Sequence, residues 1–485
     1  MRKFDFDFAI LGGGSAGYAA ARTAAGADRK TVVIEGGSAV GGLCILRGCM
    51  PSKALLYAAE VRHLARHSAT WGLQPGKVGF DFGKVMARKA RMIEGFASYR
   101  RQQLEGGKFK FIRANARFVD AHTIELKPLT PPLSPLDGER VSVRTGEGKV
   151  RRLSARHFII ATGSVISPPP LPGLADVGYL TSDDALALKQ LPKSLIVLGG
   201  GAIACELAQF FARFDVKVTL IQRSPQVLKE FDADAAAVVE TVFRREKIKL
   251  FTGTRLLDAR RNGKRKIVEF EQNGKSRRVE ADEILLALGR SPNTEGLGLE
   301  NAGVATEQGR IVSDARMRTS AAHIFAAGDC TGPHEIVHIA IQQAEIATQN
   351  LIYPRAQRRM DYRLLTSVVF TDPHVAIVGL TEKEAAARQI PFRAASYPFN
   401  DHGKSIIMEA LDGFVKLLAN PTNGEIIGGC CVGPVGGELI YEIVVAMANR
   451  MTVHELAATP HYHPTLAEIW TYPAEELAGQ IPLDS

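Results

Sequence analysis

The sequence predicts an α/β protein containing two doubly wound, mainly parallel-sheet domains. Three observations predict it, the first two being a strand–glycine turn–helix–strand unit near the start of the chain and a second copy of that unit from Leu195 onward. Length is the third, because 485 residues exceed a single hydrophobic core and imply two to four domains.

The first unit opens with the apolar run Phe6–Leu11. GGGSAG (Gly12 to Gly17), the helical pattern YAAARTAA and the strand TVVIE follow, ending at Glu35, eighteen residues after Gly17. Gly12, Gly14 and Gly17 permit a tight turn and close approach of a pyrophosphate to the helix N-terminus, and Glu35 is suited to accept from a ribose hydroxyl. A lone glycine triplet says little. Strand, turn, helix, strand and terminal acid together make a Rossmann-type dinucleotide fingerprint.

Next comes GGLCILRGCMPSK, residues 41–53, with Cys44 and Cys49 separated by four residues. Pro51 suits a first helical position, and SKALLYAAEVRHLARH carries apolar residues at helical spacing. The pair therefore sits in or just before a first helical turn, where unpaired N–H groups favour a thiolate. In a regular helix residues five apart rise about 7.5 Å. That exceeds the roughly 7 Å Cα limit for a disulfide, so bonding needs a distorted turn, which Gly48 permits. Two nearby cysteines are often apolar filler or half of a zinc site, but no further Cys or His ligands follow closely. A redox-active dithiol is the preferred reading.

Between residues 108 and 160 the pattern changes to short strands. PLTPPLSPLDGER (128–140) is read as a surface insert with no assigned function. HFIIATGS (157–164) is a strand ending in a glycine turn, consistent with chain passing beneath a bound cofactor, and PPPLPG (168–173) marks a boundary. The second fingerprint, LIVLGGGAIACELAQFFARF, supplies Gly199, Gly201 and Ala204, with KVTLIQRS as its second strand. Gln222 replaces the expected terminal acid, Arg223 follows, and Lys229 lies six residues further on. An acid would hold the 2′-hydroxyl of NAD, whereas cations without it suit the 2′-phosphate of NADP; the competing reading makes Arg223 and Lys229 solvated charges. Two dinucleotide sites plus a dithiol imply a flavin, a nicotinamide and electrons passing between the latter and the cysteines.

Composition narrows the remaining classes. With 46% hydrophobic and 23% charged residues the chain reads as soluble and globular. The formal charge of +9 is modest, and the basic run 260–280 alternates with apolar residues as a hairpin with Asn-Gly turns at 262–263 and 273–274. No aromatic platform accompanies it, so a nucleic-acid site is disfavoured. No secretory signal or membrane-length apolar run is visible, and six cysteines do not make a disulfide scaffold, so a reducing, cytoplasmic location is expected.

These residues resemble the flavin-dependent pyridine nucleotide–disulfide oxidoreductases: dihydrolipoamide dehydrogenase, glutathione reductase and mercuric reductase. The resemblance covers nearly the whole chain. The cysteine segment is similar to the family motif GGTCxNxGCxPSK, departing from it at Leu43 and Leu46, with Arg47 at one of its variable positions. EILLALGRSPNTEGLGLENAGV (283–304) and HIFAAGDCTG (323–332) look like the return to the flavin domain, and SVVFTDPHVAIVGLTEKEA (367–385) like the opening of a dimerisation domain. The implied organisation is FAD-binding residues 1–166 and 293–361, NAD(P)-binding residues 167–292, and an α+β dimerisation domain, 362–485. Thr162, Gly163, Asp329 and Gly289 join the implied cofactor-binding set, Asp329 at the flavin ribityl chain.

By the same resemblance Cys49 faces the flavin and Cys44 exchanges with substrate. Lys53 and Glu206 match the ion pair near the flavin N5 and nicotinamide. HYHPTLAE (461–468) places His463 and Glu468 as an acid–base pair acting from the partner subunit of a homodimer. Imidazole suits protonation of a leaving thiolate, and a carboxylate on its other nitrogen fixes the tautomer. Read without the resemblance, His461 and His463 are loop histidines.

Within the family the signals diverge. Ser15 and Arg22 resemble glutathione-binding residues, yet Glu345 stands where a second substrate-binding arginine is expected, which disfavours glutathione. Ala202 replaces a gating tyrosine. HxHPT and PSK agree with dihydrolipoamide dehydrogenase, while Gln222 and Arg223 oppose its usual NAD preference. CELAQFFARF and VTLIQRS resemble mercuric reductase, but His463 stands where that enzyme usually has tyrosine, and neither an N-terminal metal-carrier domain nor a C-terminal cysteine pair is expected from this sequence. Cys430–Cys431, Cys205 and Cys330 read as structural. The resulting expectation is an FAD-containing homodimer, dihydrolipoamide dehydrogenase-like, with NADP favoured over NAD and a small or protein-borne disulfide as substrate. The rival within the class is a mercuric or other NADPH-dependent disulfide reductase; outside it, a non-catalytic flavoprotein scaffold.

Overall fold

A computed structural model describes residues 3–74, 76–129 and 150–482. Most of the proline-rich segment 128–140 lies outside the described residues. The chain divides into two compact units, the first comprising residues 1–51, 87–167 and 290–360, the second 52–86, 168–289 and 361–485.

The first unit is built on a parallel sheet whose strands Lys110–Asp120, Thr31–Glu35, Phe6–Leu11, Arg151–Ile160 and Ile324–Ala326 lie side by side. Both faces are covered, which explains the unbroken apolar runs. Phe8, Ile10, Val33 and Ile159 point to one face, against Ala16, Ala20 and Ala24 of the helix Ser15–Gly26 and Ala340 and Ala344 of the helix Val337–Ile352. Ala9, Leu11, Ile34 and Phe158 point to the other, against Phe118, Ile124 and Leu153. The strands 110–120 and 151–160 are longer than the sequence suggested. Beyond the parallel sheet they pair antiparallel with Thr123–Pro128.

The second unit holds a four-stranded parallel sheet in the order Glu283–Leu286, Ser194–Leu198, Lys217–Ile221, Lys249–Phe251. The basic run forms an antiparallel meander, Thr254–Asn262, Arg265–Gln272 and Lys275–Ala281. Its second turn is Asn273–Gly274, as read. Its first is Gly263–Lys264, one residue later than read, because Asn262 still pairs with Arg265. A five-stranded antiparallel sheet follows, ordered Thr366–Val369, His374–Gly379, Ile426–Gly433, Phe414–Ala419, Arg393–Pro398, and the helix Gly436–Ala448 packs on it. Segment 52–86 belongs to this unit because Leu55 and Ala59 bury against Leu207, Phe210 and Phe211 of the helix Ala202–Arg213. Lys416, almost fully buried, gathers Asp234, Glu382 and Asp232 at 2.6, 2.5 and 3.2 Å and so ties the antiparallel sheet to the parallel one.

Candidate active site

The cysteine segment folds as a short helix, Gly42–Arg47, carrying Cys44, and a long one, Cys49–His67, which Cys49 itself opens. Pro51 is therefore the third helical residue rather than the first, a position it tolerates because no N–H in the first turn has a helical partner. The break falls at Gly48, where a Cβ would come within 3.0 Å of the Leu43 carbonyl oxygen and 3.3 Å of the Cys44 Cα. A side chain at 48 would crowd this turn, and the break between the two helices means that no regular helix separates the two cysteines. Both are half-buried, and Arg47 between them is exposed.

This segment lies against the first glycine turn, where Gly42 approaches the Gly14 Cα too closely for a side chain. Gly12 has φ +108° and passes under the Ala161 carbonyl; Gly199 repeats the geometry at φ +119° under Ala287. The helices Ser15–Gly26 and Ala202–Arg213 both begin with no side-chain cap and no acid in the first turn, and space before Gly201 is open. These bare N–H groups and side-chain-free turns fit two pyrophosphates. Glu35 is buried at its strand end and already accepts from the backbone N–H of Gly13 at 2.8 Å and Gly37 at 2.5 Å. That fixes its carboxylate while leaving lone pairs for a ribose.

Asp329 accepts from the Ser164 hydroxyl at 2.6 Å, and the Ser164 oxygen accepts from Arg290 Nε at 2.8 Å. Ser164 and Arg290 were missed in the sequence, because their meeting depends on strand pairing between Ser164–Ile166 and Arg290–Pro292. Nearby, the Thr162 carbonyl accepts from Asn293 Nδ2, and Gly163 and Gly289 leave open space where a side chain would stand.

Lys53 lies 3.0 and 2.9 Å from the two carboxylate oxygens of Glu206. Glu206 is almost fully buried and accepts a further bond from Phe370 N–H at 3.0 Å; the Lys53 ammonium also sits 4.4 Å above the Phe370 ring. Phe370 is the partner that the sequence did not single out.

At the other end of the chain, His463 Nδ1 is 3.0 Å from Glu468 Oε2 and 3.2 Å from Oε1. The imidazole is 78% exposed and the carboxylate 10%. Ile469 and Trp470, buried beside Glu468, anchor it, with Trp470 Nε1–H donating to the Leu439 carbonyl. The ring thus donates from Nδ1 and presents Nε2 outward. His461 has a separate acid, Glu442, at 2.6 Å.

Each unit thus carries a glycine turn open to a pyrophosphate; the first also carries Cys44 and Cys49 around Gly48, and the second a buried acid holding an exposed imidazole. The family described as pyridine nucleotide-disulphide oxidoreductase matches residues 6–344, and its dimerisation domain matches residues 365–474. The chain belongs to that family. It is 34% identical to the dihydrolipoyl dehydrogenase of Geobacillus stearothermophilus, covering 97% of this chain and 96% of the relative. It is 33% identical to the mercuric reductase of Staphylococcus aureus, covering 96% and 81%. In fold it is similar to the Cu(II) complex of the HOCl-induced flavoprotein disulfide reductase RclA from Escherichia coli, at TM-score 0.82, 25% identity and 98% and 100% coverage. The protein is an FAD-dependent, pyridine nucleotide-linked disulfide oxidoreductase.

The oxidoreductase keeps its other cysteines out of solvent. Cys430 and Cys431, neighbours on the strand Ile426–Gly433, enter cores on opposite faces, and burial pushes the Cys430 thiol up to about 12 and Cys431 well above its ordinary range. Cys205 is raised likewise, and burial brings Cys330 to about 11. Arg22 pairs with Glu345 at 2.8 Å, so the acid that replaces the expected arginine also occupies the remaining one. At the second nucleotide turn Gln222 is buried, and its Oε1 accepts from Arg223 N–H. Arg223 and Lys229 are both exposed, and Lys229 pairs with Glu230 at 3.2 Å. Among the described residues no helix is long and apolar enough to cross a membrane, and no group of three or more His, Cys, Asp or Glu is placed to hold a metal.

Proposed function

We infer that this oxidoreductase passes an electron pair between NADPH and a disulfide of the lipoamide type, through Cys44 and Cys49, as a cytoplasmic homodimer. The observation that carries the reading is the His463–Glu468 pair: a buried acid behind an exposed imidazole supplies a proton at a sulfur, not at a metal ion. The flavin, when bound, relays the two electrons between the nicotinamide and the cysteines.

The chain's own residues do the rest. The Cys44 thiolate attacks one sulfur of the substrate disulfide, and His463 of the opposite protomer gives its proton to the departing thiolate. The Cys49 thiolate then attacks Cys44, releasing the second substrate sulfur and closing the Cys44–Cys49 disulfide. That second sulfur leaves as a thiolate and takes its proton from solvent through His463, so two electrons and two protons have then reached the substrate. Glu468 holds His463 in the tautomer this requires, and Lys53, fixed by Glu206, keeps a cation beside the flavin. Gly12, Gly14, Gly17, Glu35, Thr162, Gly163 and Asp329 serve the flavin nucleotide. Gly199, Gly201, Ala204, Gly289, Gln222 and Arg223 serve the nicotinamide nucleotide, with Lys229 in a lesser part because Glu230 already holds it.

The assignment of residues 1–166 and 293–361 to FAD, 167–292 to NAD(P) and 362–485 to dimerisation is supported at 167/168, 289/290 and 360/361, where the chain passes between the compact units, while segment 52–86 packs in the second unit together with 168–289 and 361–485. Preference for NADPH rests on Gln222, a buried neutral amide where an acid would repel a 2′-phosphate. Exclusion of glutathione rests on the Arg22–Glu345 pair. Steady-state assays with lipoamide, glutathione disulfide and mercuric ion, each with NADH and NADPH, test the reading. NADPH-linked turnover of lipoamide supports it; turnover of mercuric ion alone would replace it with the metal-reductase reading.

A further inference from the structure

We propose that His402 is a positioning residue for the His463–Glu468 pair, donating to the Glu468 carboxylate from behind so that it stays turned towards His463. His402 is fully buried. Its Nε2 lies 3.3 Å from Glu468 Oε1, off the line of an ideal hydrogen bond and with no other polar partner. Its Nδ1 lies 2.8 Å from the hydroxyl of Ser405, itself fully buried.

Electrostatics selects the tautomer. A bare Nε2 lone pair facing a carboxylate would be repelled, so Nε2 carries the hydrogen and the Ser405 O–H donates to Nδ1. Burial holds this imidazole below its ordinary range, outweighing the pull of Glu468, so the ring acts as a neutral donor and not as a cation that would cancel the carboxylate's charge.

The other groups around the ring leave this arrangement undisturbed. Tyr472 and Phe399 present aromatic rings edge-on at 6.3 and 6.5 Å, and the nearby charge of Asp401 is engaged by the Tyr397 hydroxyl at 3.0 Å. Glu468 and His463 are the remaining titratable groups that act on it. The result is a row, Ser405–His402–Glu468–His463, in which the last ring alone is open to solvent.

An apolar residue at 402 would leave a buried carboxylate oxygen without its donor and concentrate its charge on His463. The proton on His463 would then be held more tightly. This inference rests on the reading of His463 as the acid–base group, and the experiment separates the two. The FAD-loaded dimer is reduced with dithionite, and the rate of Cys44 alkylation by iodoacetamide is followed against pH, a readout independent of substrate identity.

His402→Leu is expected to move the imidazole-dependent limb of that profile to higher pH by about one unit. His402→Gln, which keeps an N–H at the same reach, leaves it in place. Ser405→Ala, which frees the tautomer, moves it in the same direction as Leu and carries the test if the Leu variant does not fold. If His463→Gln removes the limb but neither His402→Leu nor Ser405→Ala moves it, the assignment of His402 is overturned. If His463→Gln leaves the limb untouched, the acid–base role of His463 itself fails.

Discussion

Lys53 and Glu206, 153 positions apart in sequence, meet in a two-pronged ion pair with both carboxylate oxygens within 3.0 Å of the ammonium. Lys53 comes from the helix that Cys49 opens, and Glu206 from the helix that begins at the second glycine turn. One salt bridge therefore joins the helix that Cys49 opens to the helix that follows the second glycine turn.

Glu206→Gln keeps an acceptor for Phe370 N–H but removes the charge that fixes Lys53. Reduction of the flavin by NADPH should slow by at least about tenfold, and unfolding free energy should fall by about 1–3 kcal/mol. Stopped-flow absorbance and urea titration measure the two effects. An unchanged reduction rate would reduce the pair to a structural contact.

Glu345→Arg replaces the acid that occupies Arg22 and leaves two cations on facing helices. The KM for glutathione disulfide should drop by about tenfold, since its carboxylates then meet charge of the opposite sign. If glutathione kinetics do not change, the selectivity lies elsewhere.

His157 sits in the first parallel sheet beside Phe8, and burial, with Arg156 and His323 adding to it, lowers its pKa from 6.5 to about 4. As pH falls below 6.5 the unfolded chain takes up this proton and the folded chain does not, so stability is lost from there down to about 4 and changes no further below it. His63, lowered to about 4 chiefly by burial, adds a loss in the same window. His157→Phe should therefore show a smaller fall in Tm between about pH 7 and about pH 5 than the parent. An equal fall would mean that the ring is protonated in the folded protein.

Both nucleotide turns were legible because local chemistry imposes them: Gly12 and Gly199 need positive φ, and the strands they follow are continuous apolar runs. The approach of Cys44 to the next helix was legible in outline, since Gly48 between two cysteines signals a broken helix. Pro51 misplaced that helix by two residues because proline is tolerated throughout a first turn, not at its first position alone. Long-range partners were hidden. Phe370 over Lys53, Arg290 on Ser164 and His402 behind Glu468 lie 317, 126 and 66 residues from the groups they serve, and no local pattern marks them. Glu345 was read as repelling a substrate carboxylate, and its pairing with Arg22 appears only when their two helices pack together.

The claim that electrons pass through Cys44 and Cys49 is tested most directly by anaerobic stopped-flow reduction of the FAD-loaded enzyme with NADPH and with NADH. The quantity followed is the long-wavelength absorbance of a thiolate facing the flavin. The expected result is rapid appearance of that band with NADPH, more slowly with NADH, its retention in Cys44→Ser and its loss in Cys49→Ser. Flavin bleaching with no such band under either nucleotide would contradict the account, because the electrons would then stop short of the cysteines.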